Sequence, residues 1–265
     1  MLLNIEHRTH VAYDAPVDYT IQQLHLTPQD GFGQRVNRWE IRVNGKMQAH
    51  ADAYGNLSHM LVVDGPHRAI DITASGEVET GLDIPPAADP LPLQVYLRAT
   101  PMTTMDTALT EFSSYFCQSG AEMDKCELYA LMRAVRDRLI PLESGTEALR
   151  SAAEAFASGH GTSYDYAHVF IACCRALGVP ARFVSGYLFS AARQMVANHA
   201  WADAWVDGEW ISFDIANGQH ANGVHVRLAT GLDARDACPV GLVRRDAGTS
   251  TSFRVRTPGT EQSQQ

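Results

Sequence analysis

The first third of the chain alternates apolar and polar positions in short stretches between turn residues. The segments LNIEHRTHVAY, YTIQQLHLTP, RWEIRVNG, NLSHMLVVDGP and RAIDITASGEVET follow one another with Gly, Pro and Asn between them. A period of two is typical of strands that bury one face. Asn44–Gly45 and the segment Asp52–Asn56 are expected to be tight turns. The pattern predicts an N-terminal antiparallel β-sandwich over residues 1–85.

A proline-rich segment separates this region from one with a different pattern. Residues 81–94 carry four prolines, which exclude regular structure there. Beyond it, helical spacing of apolar residues appears in MDKCELYALMRAVRDRLI and in TEALRSAAEAFA. A third helix is expected to begin near Ser163 and to end before Gly178. Strands follow in ARFVSGYLFS, NHAWADAWVD and EWISFDI. We therefore predict an α+β fold with a second domain over residues 95–258 and a polar tail over 259–265.

Three polar residues occupy special positions in the second domain. Ser163 lies at a predicted helix N-terminus, where unpaired backbone N–H groups and the helix dipole favour negative charge. His199 opens the strand HAWADAWV and Asp214 ends the strand EWISFD, and the short turn at Gly208 would bring them together. This order suggests a nucleophile, a base and a residue that orients the base. Such a site suits a cysteine best, because it lowers a thiol pKa from ~8.5 to about 3.5–7.5.

These segments carry a family resemblance. GHGTSYDYAHVFIACCRALGVPARFVSGYL, then HAWADAWV and FDIANG, resembles the transglutaminase-like core. The segments IEHRTHVAYDAPV, LHLTPQD and DAYGN are similar to the β-rich domain that precedes this core in bacterial members. The resemblance implies a papain-like core with its nucleophile helix packed on an antiparallel sheet. It also implies that His199 is the general base, that Asp214 orients it, and that Ser163 stands at the nucleophile position.

The resemblance further implies cysteine-protease-type chemistry through an acyl-enzyme, without a metal or organic cofactor. Water as the acceptor gives hydrolysis or deamidation, and a second amine gives transamidation. Because bacterial relatives look more like peptidases or amidases than cross-linkers, hydrolysis of peptide or isopeptide amides is the expected activity. A peptide or protein amide is therefore the expected substrate.

The departures from the family pattern lie close to the predicted nucleophile. Ser163 replaces Cys, Tyr164 replaces Gln, and Ile215–Ala216 replace Pro-Thr after the aspartate. Natural divergence and a deliberate exchange of one cysteine both fit these residues. Three functions therefore stay open: the amidase, a hydrolase with a serine nucleophile, and a non-catalytic binding protein that keeps the cleft.

Other candidate groups have structural interpretations. Cys173 and Cys174 lie further along the third helix and are expected in the core. Asp165 is expected to complement the helix dipole, and His168 to be a buried, hydrogen-bonded histidine. The remaining cysteines and a pair of nearby histidines suggest no other nucleophile and no zinc site; they are Cys117, Cys126, Cys238, His220 and His225. No Gly-rich loop indicates a nucleotide.

Composition narrows the remaining function classes. The 265 residues are 45% hydrophobic, which is enough for a sizeable core, and the net charge of −9 is not interrupted by any Lys/Arg cluster. We therefore expect neither nucleic acid nor an anionic membrane as a partner. The N-terminus does not resemble a signal peptide, and no apolar run reaches membrane-spanning length. A cytoplasmic location is expected, and an exposed edge of the β-domain could pair with a second copy.

Overall fold

A computed structural model describes residues 1–116, 123–142, 149–241 and 247–257. The strands are β1 (Leu2–Leu24), β2 (Gln34–Val43), β3 (Lys46–Ala51), β4 (Leu57–Thr80), β5 (Ile140–Pro141), β6 (His160–Gly161), β7 (Ala181–Ser190), β8 (Met195–Val206), β9 (Glu209–Asp214), β10 (Gln219–His220), β11 (His225–Gly231) and β12 (Ala247–Arg256). The helices are α1 (Thr107–Ser114), α2 (Lys125–Arg138), α3 (Ala152–Ser158), α4 (Ser163–Ala176) and α5 (Ala234–Ala237), with a 3₁₀ turn at Leu93–Leu97. The predicted α+β class is confirmed.

Two long strands, β1 and β4, replace four of the five short N-terminal strands that the sequence pattern predicted, and the fifth, RWEIRVNG, is confirmed as β2. β1 and β4 pair from Leu2–Glu79 to Leu24–His59, with register shifts near Val17. The expected break at Gly65 and Pro66 is therefore wrong. These two residues form a bulge, where a proline without an N–H and a glycine at φ 91° bend the strand without ending its pairing.

The bend in β1 and β4 creates the layers of the β-domain. Among the described residues, the sheet order is β12-β1-β4-β2, and β3 pairs with the first half of β4. Apolar side chains of both halves meet in one core that includes Val11, Leu24, Leu61 and Ile70. The tight turn at Asp52–Asn56 is confirmed: the N–H of Gly55 donates to the carbonyl of Asp52 at 3.1 Å, and Gly55 has a φ of 81°.

The last described strand belongs to the first sheet in space. β12 pairs antiparallel with β1 from Asn4–Arg256 to Tyr13–Ala247. Without β12, the outer edge of this part of β1 would leave its backbone groups unpaired. The boundaries 1–85 and 95–258 remain a prediction, but a strand from the end of the chain completes the N-terminal sheet. The tail at 259–265 lies outside the described residues.

The second sheet has the order β10-β9-β8-β7-β11 among the described residues, and α4 packs on one face of it. Ala200, Ala202 and Ala204 of β8 face the helix, and their small side chains allow a close approach. Because strand residues alternate between faces, His199, Trp201 and Asp203 lie on the opposite face. The sheet therefore places one row of polar and aromatic groups away from the helix core.

The N-terminal sheet packs against the core beside α4. Leu3 and Ile5 of β1 share a buried cluster with Tyr187, Phe189 and Val196. These last three residues come from the same face of β7 and β8 that α4 covers further along. On this face of the second sheet, the start of α4 therefore lies next to the N-terminal sheet. In the described part of the chain, no helix is long and apolar enough to span a membrane.

Candidate active site

Hydrogen bonds from three groups fix the first turn of α4. Oδ2 of Asp165 accepts from the backbone N–H of Thr162 at 2.8 Å, from its hydroxyl at 3.0 Å, and from Arg150 at 2.7 Å. The predicted structural role of Asp165 is thus confirmed. The N–H groups of Ser163 and Tyr164 belong to the first helical turn, which offers them no intrahelical acceptor. The helix therefore presents its positive end at residue 163.

Ser163 is the first residue of α4 and is 8% exposed. Its Oγ accepts a hydrogen bond from the N–H of Ala200 at 3.3 Å. Among the described residues, no hydrogen bond joins the Ser163 hydroxyl to the His199 side chain. The structure thus brings Ser163 to the backbone beside His199, as the sequence predicted, with the hydroxyl turned to the strand.

His199 and Asp214 are joined directly. Nε2 of His199 lies 2.8 Å from Oδ1 of Asp214, and the two residues are 7% and 0% exposed. The hairpin explains this contact, because Phe213 pairs with Ala202 and β9 ends one residue later. Since an ionised carboxylate only accepts, Nε2 carries the proton and Nδ1 keeps a lone pair. His199 can therefore accept a proton at Nδ1.

Asp214 is the most heavily hydrogen-bonded group of the site. Besides His199, its Oδ2 accepts from Nδ2 of Asn217 at 2.7 Å and from Nε2 of His225 at 2.9 Å. Burial acts to raise the pKa of this carboxyl, but the bonds from His199, His225 and Asn217 outweigh it and hold the pKa well below its usual range. Asp214 is therefore a charged acceptor at neutral pH.

His225 is a residue of the site that the sequence did not indicate: with His220 it suggested no zinc site, and no other role was predicted for it. His225 opens β11, which pairs with β7 and not with the strand that holds Asp214. No local motif relates the two positions, so only the sheet order brings them together. His220 is exposed and packs edge-on against Tyr129 instead.

An aromatic residue packs against both histidines, whose own ring centroids are 5.9 Å apart. The ring of Trp201 lies 6.3 Å from that of His199 and 5.2 Å from that of His225, centroid to centroid. Gly186 makes this possible, because a Cβ there would lie 2.6 Å from the Trp201 ring and 2.1 Å from the carbonyl oxygen of Val226. The three rings thus form one buried layer beside Asp214.

The ligand atoms of His199, Asp214 and His225 lie within 4.8 Å of one another, which could suit a metal ion. The bonding of His225 points elsewhere. Its Nδ1 accepts from the N–H of Asn222 at 3.0 Å, so a neutral ring carries its proton on Nε2. A metal ligand would need that nitrogen's lone pair. As arranged, the donor set fits hydrogen bonds to Asp214 and not a metal.

Burial makes three of the other described thiols poor nucleophiles. Cys173 and Cys174 are fully buried, and burial raises the pKa of Cys173 to about 12 and that of Cys174 well above its ordinary value. Their predicted core role is confirmed. Burial also raises the pKa of Cys238 to about 12. Cys126 is exposed on α2, and Cys117 lies outside the described residues.

His168 is a buried structural histidine, as predicted. It is 0% exposed, its Nε2 accepts from the N–H of Ala234 at 3.1 Å, and its Nδ1 lies 3.3 Å from the carbonyl of Arg150. Burial lowers its pKa to about 4. The ring is therefore neutral at physiological pH and links α4 to its neighbours.

Comparisons with known proteins agree with this architecture. Residues 3–79 match the bacterial transglutaminase-like N-terminal region, and residues 114–215 match the transglutaminase-like superfamily. An uncharacterized protein of Mycobacterium leprae is 24% identical over 90% of this chain and 91% of its own length. An uncharacterized protein of Mycobacterium bovis is 26% identical over 93% of this chain and 88% of its own.

A solved structure shows the same fold. The crystal structure of a proposed cysteine protease from Cytophaga hutchinsonii superimposes with a TM-score of 0.79 at 20% identity. The match covers 99% of this chain and 92% of that one, so both parts of the molecule are included. Over most of its length, therefore, the chain matches the two parts of a bacterial transglutaminase-like protein, the N-terminal region and the core.

Proposed function

We propose that residues 163, 199 and 214 form an acyl-transfer site that acts on peptide or isopeptide amides, with hydrolysis preferred over cross-linking. One observation carries the proposal. The 2.8 Å bond between His199 and Asp214 lies beside the N-terminus of α4, whose first residue touches the backbone next to that histidine. This arrangement of residues from three separate elements supports the roles of nucleophile position, base and orienting carboxylate.

The chemistry is that of a thiol at position 163. The thiolate attacks the amide carbonyl carbon, and the C–N bond breaks as the His199 imidazolium gives its proton to the leaving amine. Water then attacks the thioester, His199 accepts one of its protons, and the acid leaves as the thiolate reforms. Backbone N–H groups at the start of α4, including that of residue 163, would stabilise the oxyanion.

The serine present in this chain makes the first step harder. A hydroxyl must lose its proton to His199 while it attacks, because the field of the helix does not ionise it. In the structure its Oγ accepts from Ala200 instead of donating to His199. This observation favours a second candidate, a non-catalytic binding protein that retains the site. A serine-nucleophile hydrolase would require the hydroxyl to turn toward Nδ1 of His199.

A thiol substitution tests the proposal. Ser163→Cys should release amine from some member of a panel of peptide and isopeptide amides. Adding His199→Ala should reduce the rate on the order of 10²–10⁴-fold, the usual contribution of a general base. Ser158→Cys, at the end of α3, is the matched control and should stay inactive. A well-folded Ser163→Cys variant without His199-dependent amine release would contradict the proposal.

A serine-directed phosphonate distinguishes the alternatives in the unaltered chain. Labelling of Ser163, located by peptide mass spectrometry, would support the serine hydrolase. Absence of labelling together with an active Ser163→Cys variant would show that the site needs a thiol. Absence of both labelling and thiol-dependent activity would leave the binding protein.

A further inference from the structure

The carboxylate of Asp214 has more hydrogen-bond donors than a base-orienting role requires. Orientation of His199 uses only Oδ1, at 2.8 Å from Nε2. The other oxygen, Oδ2, accepts from His225 at 2.9 Å, from Asn217 at 2.7 Å and, over a longer distance, from Nε2 of Gln219 at 3.4 Å. A buried carboxylate with bonds to both oxygens cannot rotate about its Cβ–Cγ bond without breaking one of them. His225 thus acts on the oxygen that faces away from His199.

Hydrogen bonds on both ring nitrogens hold neutral His225 in one tautomer. Its Nδ1 accepts from the backbone N–H of Asn222 at 3.0 Å, which places the proton on Nε2, where it is donated to Asp214. The N–H of His225 in turn donates to the carbonyl of Asn222 at 2.9 Å. The segment that leads into β11 therefore forms a closed turn that fixes both the position and the tautomer of the ring.

The packing around His225 adds a steric constraint. The edge of its ring meets Trp201 at 5.2 Å between centroids, and Trp201 also stacks on His199. The missing side chain at Gly186 allows Trp201 to lie there. His225 is 6% exposed, so a water molecule does not readily replace its bond to Asp214. Packing therefore fixes the His225 ring in its place beside Asp214.

We propose that His225 is a positioning residue of the acyl-transfer site: it holds Oδ2 of Asp214 so that Oδ1 selects the Nε2–H tautomer of His199. The proposal rests on the proposed function for its catalytic consequence, but the tautomer of His199 can be measured without any reaction. The proposed function and the positioning role of His225 can therefore be contradicted independently of one another. His225 does not contact the reacting atoms and is not a catalytic residue.

The direct test uses the unaltered Ser163 chain with ¹⁵N-labelled histidine, at a pH where the imidazoles are neutral. Nitrogen chemical shifts should show the proton of both His199 and His225 on Nε2. In His225→Phe, which keeps an aromatic ring against Trp201 but removes the donor, His199 should populate both tautomers. In His225→Gln, whose amide supplies a donor and an acceptor, the single Nε2–H form should return. A folded His225→Phe variant with His199 still entirely Nε2–H would overturn the proposal.

The kinetic arm uses the Ser163→Cys background. His225→Phe should lower kcat on the order of 10- to 100-fold, the effect of one lost bond to a charged group, while KM changes little. His225→Gln should recover most of the rate. His10→Leu is the matched control, because it removes an exposed hydrogen bond between a histidine and Asp71 at 2.8 Å, and it should leave both constants unchanged. A change in KM with kcat unaltered would contradict a positioning role. An equal loss of kcat in the Phe and Gln variants would contradict it as well.

The two arms separate the two claims. If Ser163→Cys releases no amine at all, the proposed function fails and the tautomer measurement alone decides the role of His225. Should His225→Phe not fold, His225→Leu takes its place, and the Gln variant still tests whether a donor at this position is sufficient.

Discussion

Two buried carboxylates lie on the same face of the same sheet, and their partners differ. Asp203 of β8 accepts from Nε of Arg182 at 2.9 Å, from two nitrogens of Arg227 at 2.8 Å each, and from the Ser212 hydroxyl at 2.6 Å. Asp214 of β9 is held instead by two histidines and two side-chain amides. Both aspartates are 0% exposed, so burial does not distinguish them.

The partners decide what each carboxylate can do. A guanidinium keeps its charge at every physiological pH, so Asp203 forms a permanent ion pair. Arg182 extends this pair to Asp89 at 2.5 Å and lies 4.1 Å over the ring of Trp210, which ties the proline-rich segment to the sheet. Among the partners of Asp214, the His199 ring has a second nitrogen, Nδ1, whose lone pair can accept a proton. The first centre is therefore expected to stabilise the fold, and the second is the one that we propose to support chemistry.

The largest expected effect separates the two centres by activity. In the Ser163→Cys background, Asp214→Asn should lower amine release on the order of 10²–10⁴-fold, because an amide cannot select the Nε2–H tautomer of His199 in the same way. Asp203→Asn should leave the rate per folded molecule within a few-fold. Equal losses in the two variants, measured on folded protein at one pH, would remove the distinction.

Stability should show the opposite order. Asp203→Ala leaves two buried guanidinium groups without their shared acceptor and should lower the free energy of unfolding by about 3–5 kcal/mol. Asp214→Ala leaves the ring N–H groups of two histidines without their acceptor and should cost about 1–3 kcal/mol. Urea unfolding of both variants in the Ser163 chain measures the difference. A cost for Asp203→Ala below that of Asp214→Ala would contradict the structural role of the arginine-held centre.

The loss of stability at low pH is the smallest of the expected effects and the most specific test of the ion pair. Burial acts to raise the pKa of Asp203, but the charges of Arg227 and Arg182 outweigh it and lower the pKa to about 2. A folded-state pKa below the unfolded value of ~3.9 stabilises the fold above about pH 4, and this stability is lost as the pH falls toward 2. The lowered pKa of Asp203 corresponds to roughly 2 kcal/mol of folding free energy at neutral pH.

The comparison with Asp203→Asn isolates that contribution. The difference in unfolding free energy between the unaltered chain and this variant should be constant from pH 7 to pH 5 and should narrow toward pH 2.5. Urea midpoints at four or five pH values are sufficient for the measurement. A difference that stays constant down to pH 2.5 would show that the ion pair does not lower the pKa of Asp203.

Local sequence patterns predicted the helix start and the hairpin of the site. Pairing between distant strands determined the features that the sequence did not predict. Ser163 at a helix start and the His199–Asp214 hairpin followed from sequence because a capping position and a short turn fix their geometry within a few residues. The break at Gly65 and Pro66 was wrong, because long-range pairing of β4 with β1 continues through a bulge. Propensity alone does not report such pairing.

The contacts across the sheet could not be predicted from one sequence for the same reason. His225 reaches Asp214, and Arg227 reaches Asp203, from β11. In the sheet, two strands lie between β11 and the strand of Asp214, and one lies between β11 and the strand of Asp203. Their neighbours along the chain give no sign of the partner. Alternation in HVRLAT places both residues on one face of a strand, but only the sheet order shows which carboxylates that face meets.

The pH dependence of thiol alkylation at position 163 tests the central claim most directly. Ser163→Cys and Ser163→Cys/His199→Ala would be treated with iodoacetamide, and modification of residue 163 followed by peptide mass spectrometry. We predict that half-maximal reactivity of the first variant lies well below pH ~8.5, and that removal of His199 returns it to that region. Superimposable profiles in two folded proteins would contradict the account, since the helix start and His199 would then not act as one site.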